Sequence, residues 1–254
     1  MVKPAPKVAI FIQARMQSTR LPHKVLKDLC GKPVLRHIVD RCKKADAAEH
    51  VVVLAPDTSD DEALVEFGKN QNIEIFQGPQ NNVLERFYKA AQEFQPDVIV
   101  RLTGDNPIVP IELLQQMVHD FLQGLEQGSM VYMNNHGEPP TFPTGVSIEI
   151  FTKGLLDEAY HNATEDFQRE HVTPYMRLND DIPKIYVHAE KDDSRYRITL
   201  DTPEDWQVIK AVFEALYPKN PYFGYKEAVA YLDEHPEVAS LNAAVVQKAV
   251  TSTG

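Results

Sequence analysis

Side chains suited to handling a phosphoryl group fall in three short stretches of this 254-residue chain. The first, QARMQSTRLPHK over residues 13–24, carries Arg15, Arg20 and Lys24 at intervals of five and four, with Ser18 and Thr19 between them and Pro22 stiffening the turn. Guanidinium forks and an ammonium neutralise phosphate oxygens while backbone N–H groups cradle them, so the loop suits a polyphosphate. A solvated loop whose cations balance nearby acids is the competing reading. The second stretch, RLTGDNP over 101–107, sets Asp105 just beyond an apolar run, with Gly104 allowing close backbone approach and Pro107 fixing the exit. A carboxylate so placed can hold Mg2+, although the same residues also make an ordinary Asp-containing turn. The third, RITLDTP over 197–203, ends another apolar run in Asp201. Two carboxylates from separate strand ends can share Mg2+ and bridge it to nucleotide phosphates. Compensation of a helix dipole, worth ~0.3–1 kcal/mol, is the other role open to Asp201.

The elements that must position these groups alternate. Val8–Ile12 reads as a strand and Pro33–Ala45 as a helix, with Val34, Leu35, Ile38, Val39 and Cys42 on one face; Gly31-Lys32-Pro33 is a turn before it. Val51–Ala55 is the next strand. Ser59-Asp60-Asp61-Glu62 has the form of a capping box, opening a helix expected to end near Gly68. Ile73–Phe76 gives a third strand, Asn82 starts a helix through Phe94, and Asp97–Leu102 is a fourth strand suited to burial on both faces. This βαβαβαβ order predicts an α/β fold with a mostly parallel sheet and helices on both sides. A helix follows from Pro110 to about Leu125, segments 129–150 and 184–200 look like further strands, and helices fill the rest to about residue 250, the first capped by Thr202 with Pro203 in its opening turn. Ligands of open parallel sheets bind beyond the carboxyl ends of the strands, where the loops bearing Arg15 and Asp105 fall. With no repeat, low-complexity segment or linker, residues 1–254 read as one domain.

Composition narrows the partners. At 43% hydrophobic and 25% charged the chain is long enough for a full core, and its formal charge of −11 argues against nucleic acid or anionic membrane as a general partner. An anion must therefore be captured locally. Cys30 and Cys42 match no metal-ligand spacing and suit a reducing interior. Five apolar residues after MVKPAPK are too few for a signal-peptide core, and no 18-residue apolar stretch occurs, so the expected setting is cytoplasmic.

Taken together, IFIQARMQSTRLPHKVL, GDNP and LDTPED resemble, in order and spacing, the motifs of the CTP-dependent sugar cytidylyltransferases, over residues 8 to about 216. NVLERF from Asn82 and REHVTPY from Arg169 are similar to patterns of the spore coat polysaccharide biosynthesis branch. The resemblance implies a three-layer αβα, Rossmann-like nucleotidyltransferase of the glycosyltransferase-A type that joins CTP to an acidic or hydroxylated sugar. It implies that Arg15 and Lys24 bind the phosphates, with Arg15, Lys24 and Asp105 in the catalytic set. Gln13, Ala14, Ser18, Thr19, Arg20, Asn82, Thr103 and Gly104 would line the nucleotide, and Asp105 and Asp201 would hold Mg2+. Gly145, Glu149, Arg169 and His171 would face the acceptor. It also implies a homodimer, with 129–200 as the acceptor-binding and dimerisation subregion.

Departures accompany the likeness. Gln17 and His23 stand where the family usually has glycine, and Thr144 and Ser147 where the branch more often has aspartate. Trp206, Ile209 and Val212 share a helical face and read as core; Leu241, Val245, Val246 and Val250 read as an apolar stripe for the domain or a second subunit. Two other functions stay open here: a metal-dependent nucleotide-sugar glycosyltransferase, whose usual DxD pair is missing near Asp105 and near residues 53–60, and a non-catalytic nucleotide-binding relative.

Overall fold

The apolar runs become the centre of a seven-stranded sheet in the computed structural model, which describes residues 4–128 and 131–247. Strand β1 (Val8–Gln13) is followed by a small hairpin of β2 (Asp28–Leu29) and β3 (Lys32–Pro33), then α1 (Val34–Ala45) and β4 (His50–Pro56). Next come α2 (Glu62–Gln71), β5 (Glu74–Gly78), α3 (Val83–Phe94), β6 (Val98–Thr103) and α4 (Ile111–Glu126). The chain continues through β7 (Tyr132–Asn134), β8 (Glu149–Thr152), α5 (Lys153–Asn162), α6 (Asp166–His171), α7 (Pro174–Leu178) and β9 (Lys184–Tyr186). Helices α8 (Pro203–Leu216), α9 (Tyr225–Glu234) and α10 (Pro236–Ala239) close it.

Strand order is β5-β4-β1-β6-β8-β7-β9. Strands β5, β4, β1 and β6 run parallel, β8 is antiparallel to both β6 and β7, and β9 lies parallel to β7. Alternation along each strand sends Ile10, Ile12, Val53, Val100 and Leu102 into one apolar cluster with α1, α4, α8 and α9. Phe11, Leu54, Ile99, Tyr132 and Phe151 enter a second cluster, under α3, α5 and the α6–α7 segment. The expected three-layer αβα arrangement is thus present, with burial of both sheet faces as its source of stability.

Local signals misled at four places. Ser59 and Glu62 form no capping box: Thr58 donates to the Asp61 carboxylate at 2.6 Å, 59–61 make a 3-10 turn, and α2 starts at Glu62. Gly68 lies inside α2, because a Cβ there would meet Ile75 Cγ1 at 2.2 Å; the helix ends at Gln71, with left-handed Asn72 after it. Gly31 does more than precede a helix: Cys30 and Gly31 both have positive φ, 54° and 82°, the requirement of the two-residue turn that joins β2 to β3. Finally, 129–150 and 184–200 contain only the short strands β7, β8 and β9, plus one bridge between Thr144 and Arg197. Prolines 139, 140 and 143 offer no N–H to a ladder and hold this stretch irregular. Residues 129 and 130 lie outside the described residues.

Trp206 packs half-buried on the core above buried Ile209 and Val212, with Lys27 Nζ 4.8 Å from its ring. In the described part of the stripe, residues 240–242 make a 3-10 turn, 245–247 are not helical, and Leu241 and Val246 are exposed; Val250 lies outside the described residues.

Candidate active site

Strands β1 and β6 are adjacent, so the loops that follow them emerge side by side. The Gly104 N–H donates to the Gln13 carbonyl at 2.8 Å, and a Cβ on Gly104 would sit 3.0 Å from Ala14 Cβ. Glycine therefore permits the close approach that brings the basic loop against the acidic one. The basic loop is folded back on itself: the His23 N–H donates to Met16 O at 3.0 Å, and His23 takes left-handed φ 57°. That geometry turns the following residue inward. Buried Lys24 places Nζ 3.2 Å from Asp105 Oδ2 and 2.9 Å from Asp201 Oδ1. Residues 81 and 177 positions away in sequence thus converge on one ammonium.

Each carboxylate is supported. Thr103 Oγ1 donates to Asp105 Oδ1 at 2.6 Å, and the Leu200 N–H donates to the Asp105 carbonyl at 2.9 Å, tying this loop to the segment that carries Asp201. Asp201 accepts from Arg197 at 2.9 Å and pairs with Arg20 at 3.7 Å. Burial raises the Asp201 carboxyl, but Lys24 and Arg197 outweigh it and hold the group below the ordinary carboxylate range. Beneath it, fully buried Asp205 accepts from Arg197 Nε at 2.8 Å, Asn242 Nδ2 at 2.8 Å, and the backbone N–H groups of Asp201 and Thr202 at 3.0 and 3.1 Å. The Thr202 hydroxyl oxygen accepts from the Asp205 N–H at 3.2 Å, so the expected Thr202 cap forms, as half of a capping box, with Pro203 next to it. Asp201 is therefore more than a dipole counter-charge: it faces Lys24 from a rigid helix entry.

The chain matches the protein family described as cytidylyltransferase over residues 9–246. It belongs to that family. It is 33% identical over 242 residues to the spore coat polysaccharide biosynthesis protein SpsF of Bacillus subtilis (strain 168), spanning 92% of this chain and 97% of SpsF. It is 32% identical to a 3-deoxy-manno-octulosonate cytidylyltransferase of Anaeromyxobacter sp. (strain Fw109-5), over 82% of this chain and 98% of that one. A cytidylyltransferase structure from Leptospira borgpetersenii serovar Hardjo-bovis (strain JB197) superposes with a TM-score of 0.86 at 33% identity, covering 96% of this chain and all of the other. These likenesses make this cytidylyltransferase a CTP-dependent nucleotidyltransferase and decide against the glycosyl transfer that the sequence left open.

The structure distributes the remaining expected site residues unevenly. Arg15 is exposed and, among the described residues, makes no side-chain ion pair. Ser18 is half-buried and Thr19 exposed on the same loop. Gln13 accepts from Arg101 at 3.1 Å. Asn82 accepts from the Glu85 N–H at 3.0 Å as the cap of α3, which gives it a structural task independent of a nucleotide.

Several acceptor candidates have inward-facing tasks. Glu149 is buried, with its oxygens committed to Arg101, to Tyr132 Oη at 2.6 Å and to His136 Nε2 at 3.3 Å. Burial raises its carboxyl, yet Arg101 and His136 hold it well below the ordinary range. Glu149 is thus the counter-ion of Arg101 rather than an open contact. Gly145, at φ 106°, lets its backbone pass Ile198 and Thr199, where a Cβ would sit 2.7 Å from backbone atoms. Arg169 is spent on Asp166 at 3.3 Å and the Ala163 carbonyl at 3.1 Å. His171 is half-buried, and burial lowers its pKa, with Arg101, Arg177 and Arg15 acting in the same direction and Glu170 opposing.

Sequence reasoning missed two anchors. Asp61 falls inside the expected capping box, where Ser59 and Glu62 held the capping roles, whereas its Oδ1 accepts from the Met16 N–H at 2.7 Å and pins the basic loop from 45 positions away. The spacing of Arg197, Asp201 and Asp205, four residues each, was the available signal for the second anchor.

Proposed function

We propose that this cytidylyltransferase transfers the cytidylyl group of CTP to a sugar or sugar acid, releasing pyrophosphate and supplying a CMP-activated sugar for surface polysaccharide or glycoconjugate synthesis. The observation that carries this reading is the convergence of Lys24, Asp105 and Asp201 at the strand ends. An acceptor hydroxyl oxygen bonds to the α-phosphorus, the bond to the pyrophosphate oxygen breaks, and the hydroxyl proton leaves to solvent or a carboxylate. Charge develops on the phosphoryl oxygens and the leaving group, so positioned cations supply much of the stabilisation. This reading gives that task to Arg15, Arg20 and Lys24, with the Gln13–Ala14 backbone near the base.

Asp105 and Asp201 suit Mg2+. Among the described residues no three His, Cys, Asp or Glu side chains form a metal cluster, but two oxygen donors within 3.2 Å of one nitrogen fit an ion that takes its remaining ligands from water and phosphate. Bound there, Mg2+ would neutralise triphosphate charge and polarise the α-phosphate. Both cysteines are free thiols, in keeping with a cytoplasmic setting, and among the described residues no helix is long and apolar enough to cross a membrane. Exposed Leu178, Ile185 and Tyr186 on α7 and edge strand β9 are in keeping with a homodimer formed through the 129–200 subregion.

The test incubates protein, Mg2+ and each nucleoside triphosphate with a panel of acidic and neutral sugars. Acceptor-dependent pyrophosphate release with CTP alone is expected; CTP binding without turnover of any sugar would leave a non-catalytic relative in its place.

A further inference from the structure

Transfer to a hydroxyl frees a proton, and the carboxylates of Asp105 and Asp201 are already engaged by Lys24, Thr103 and Arg197. An unengaged basic nitrogen stands elsewhere on one sheet face. Phe11, Ile99, Tyr132 and Phe151 share a single apolar cluster. Two residues along each strand, alternation puts Gln13, Arg101, Asn134 and Glu149 on the same face, and the register sets Arg101, Glu149 and Asn134 in one row. Because β8 is antiparallel to both β6 and β7, those two strands run the same way, and one further alternation reaches Thr103 on β6 and His136 just past β7.

His136 places Nε2 3.3 Å from Glu149 Oε1, the oxygen that also accepts from Tyr132 Oη at 2.6 Å, while Arg101 holds Oε2. Arg101 and His136 keep this buried carboxyl below the ordinary range, so it only accepts, and the imidazole proton sits on Nε2. Nδ1 is left as the basic nitrogen. Among the described residues it has no partner, and the side chain is 28% exposed. A buried acid behind a partly exposed imidazole fixes its tautomer and steadies the imidazolium formed when the ring takes a proton. About this pair stand Arg101 from β6, Tyr132 from β7, Tyr186 from β9, whose ring lies against Gly137, and Arg177 from α7, whose charge reaches Tyr132.

The loop carrying His136 is tied to the acidic site. The His136 N–H donates to Asn134 Oδ1 at 3.0 Å, and Asn135 donates to the Val146 carbonyl at 3.0 Å and accepts from the Ile148 N–H at 2.7 Å. From that segment the Thr144 carbonyl accepts from the Ile198 N–H at 2.7 Å, and the Leu200 N–H donates to the Asp105 carbonyl at 2.9 Å. Thr103, level with His136, donates to the Asp105 carboxylate. Strand β7 lies two places from β6, so the main chains run about 10 Å apart at this level, and the imidazole reaches toward β8 within that interval.

Building on the transferase reading above, we infer that His136 is the general base: Nδ1 takes the acceptor-hydroxyl proton as the oxygen bonds to the α-phosphorus and pyrophosphate leaves, with Glu149 as the positioning residue behind it. This gives one side chain the proton that the reaction otherwise yields to solvent or a carboxylate. The imidazolium then releases it to water at the exposed edge of the ring.

The experiment compares wild type, His136→Gln and His136→Ala, measuring pyrophosphate release with CTP, Mg2+ and the acceptor panel, with and without free imidazole; CTP affinity is read by calorimetry, which also reports that each variant has folded. Both variants should lose about 100-fold or more in kcat, the usual contribution of a positioned base, with CTP affinity within about twofold of wild type. Free imidazole should restore part of the rate to His136→Ala, where the ring's space is open, and none to His136→Gln. A kcat for His136→Ala within about threefold of wild type overturns the inference and leaves the transferase reading standing. A lost rate that imidazole does not restore in His136→Ala also overturns it, since the residue would then be structural. CTP binding by wild type with no turnover of any acceptor overturns both readings.

Discussion

Asp205→Asn is the perturbation that most sharply tests how the site is held. Asparagine keeps the shape of Asp205 but removes its charge and turns one acceptor oxygen into a donor. Arg197 Nε and Nη2, Asn242 Nδ2 and two backbone N–H groups all donate to this carboxylate at 2.8–3.1 Å, so an NH2 group must face at least one donor. Buried Arg197 is left with Asp201 as its acidic partner. Breaking a buried ion pair costs about 3–5 kcal/mol. At roughly 2–4 °C per kcal/mol for a chain of this size, the melting temperature should fall by about 6–20 °C. Against a total stability of about 5–15 kcal/mol, the variant remains folded in the cold. Pyrophosphate release measured well below its melting point should still fall by about 10–100-fold, because the Asp201 backbone loses its anchor and small displacements at a reacting centre carry such penalties. Asn242→Ala removes only one neutral donor and should cost about 1 kcal/mol. A melting temperature for Asp205→Asn within about 2 °C of wild type would refute the reasoning, since Arg197 would then not depend on this carboxylate.

Three further outcomes are expected. Asp105→Ala or Asp201→Ala should reduce pyrophosphate release by at least about 100-fold with circular dichroism unchanged; normal turnover in either removes that residue from the reaction. His23→Gly should leave KM for CTP within about threefold of wild type, because His23 already adopts the left-handed conformation a glycine would take. A large KM change would show that the imidazole itself contacts the nucleotide. For Glu149 the folded carboxyl lies below its unfolded value despite burial, since Arg101 and His136 outweigh desolvation. The native state then binds fewer protons than the unfolded one, so this stabilisation is complete above the unfolded value, roughly 4.3, and is lost as pH falls below it. Urea midpoints of Glu149→Gln should start lower at neutral pH and decline less steeply through that acid range; parallel curves for variant and wild type would contradict the assignment.

What the sequence disclosed is what spacing along the chain can encode. The run from Val8, the Asn82 cap and the Thr202–Asp205 cap are local, and each forms as read. The pairing of Lys24 with Asp105 and Asp201 depends on strand order, and only the family likeness placed those three together beforehand. Contacts reaching sideways were invisible. Asp61 carries a sound helix-start pattern, but its carboxylate is taken by Met16 from another loop, and the tertiary bond overrides the local one. Glu149 sits in a motif that suggested ligand contact, yet alternation along β8 turns it to the inner face beside Arg101, a fact fixed by register.

Charge is distributed unevenly across the strand ends of this acidic chain. Around the carboxylates at the strand ends, Lys24, Arg20 and Arg197 face Asp105, Asp201 and Asp205, three cations against three acids, and the local field nearly cancels. Across the strand ends, Arg101, Arg177 and Arg15 act on His171 together with Glu170, and Arg101 is paired with buried Glu149. On the balanced side an added polyanion costs least when a cation accompanies it, because the resident charges already offset one another.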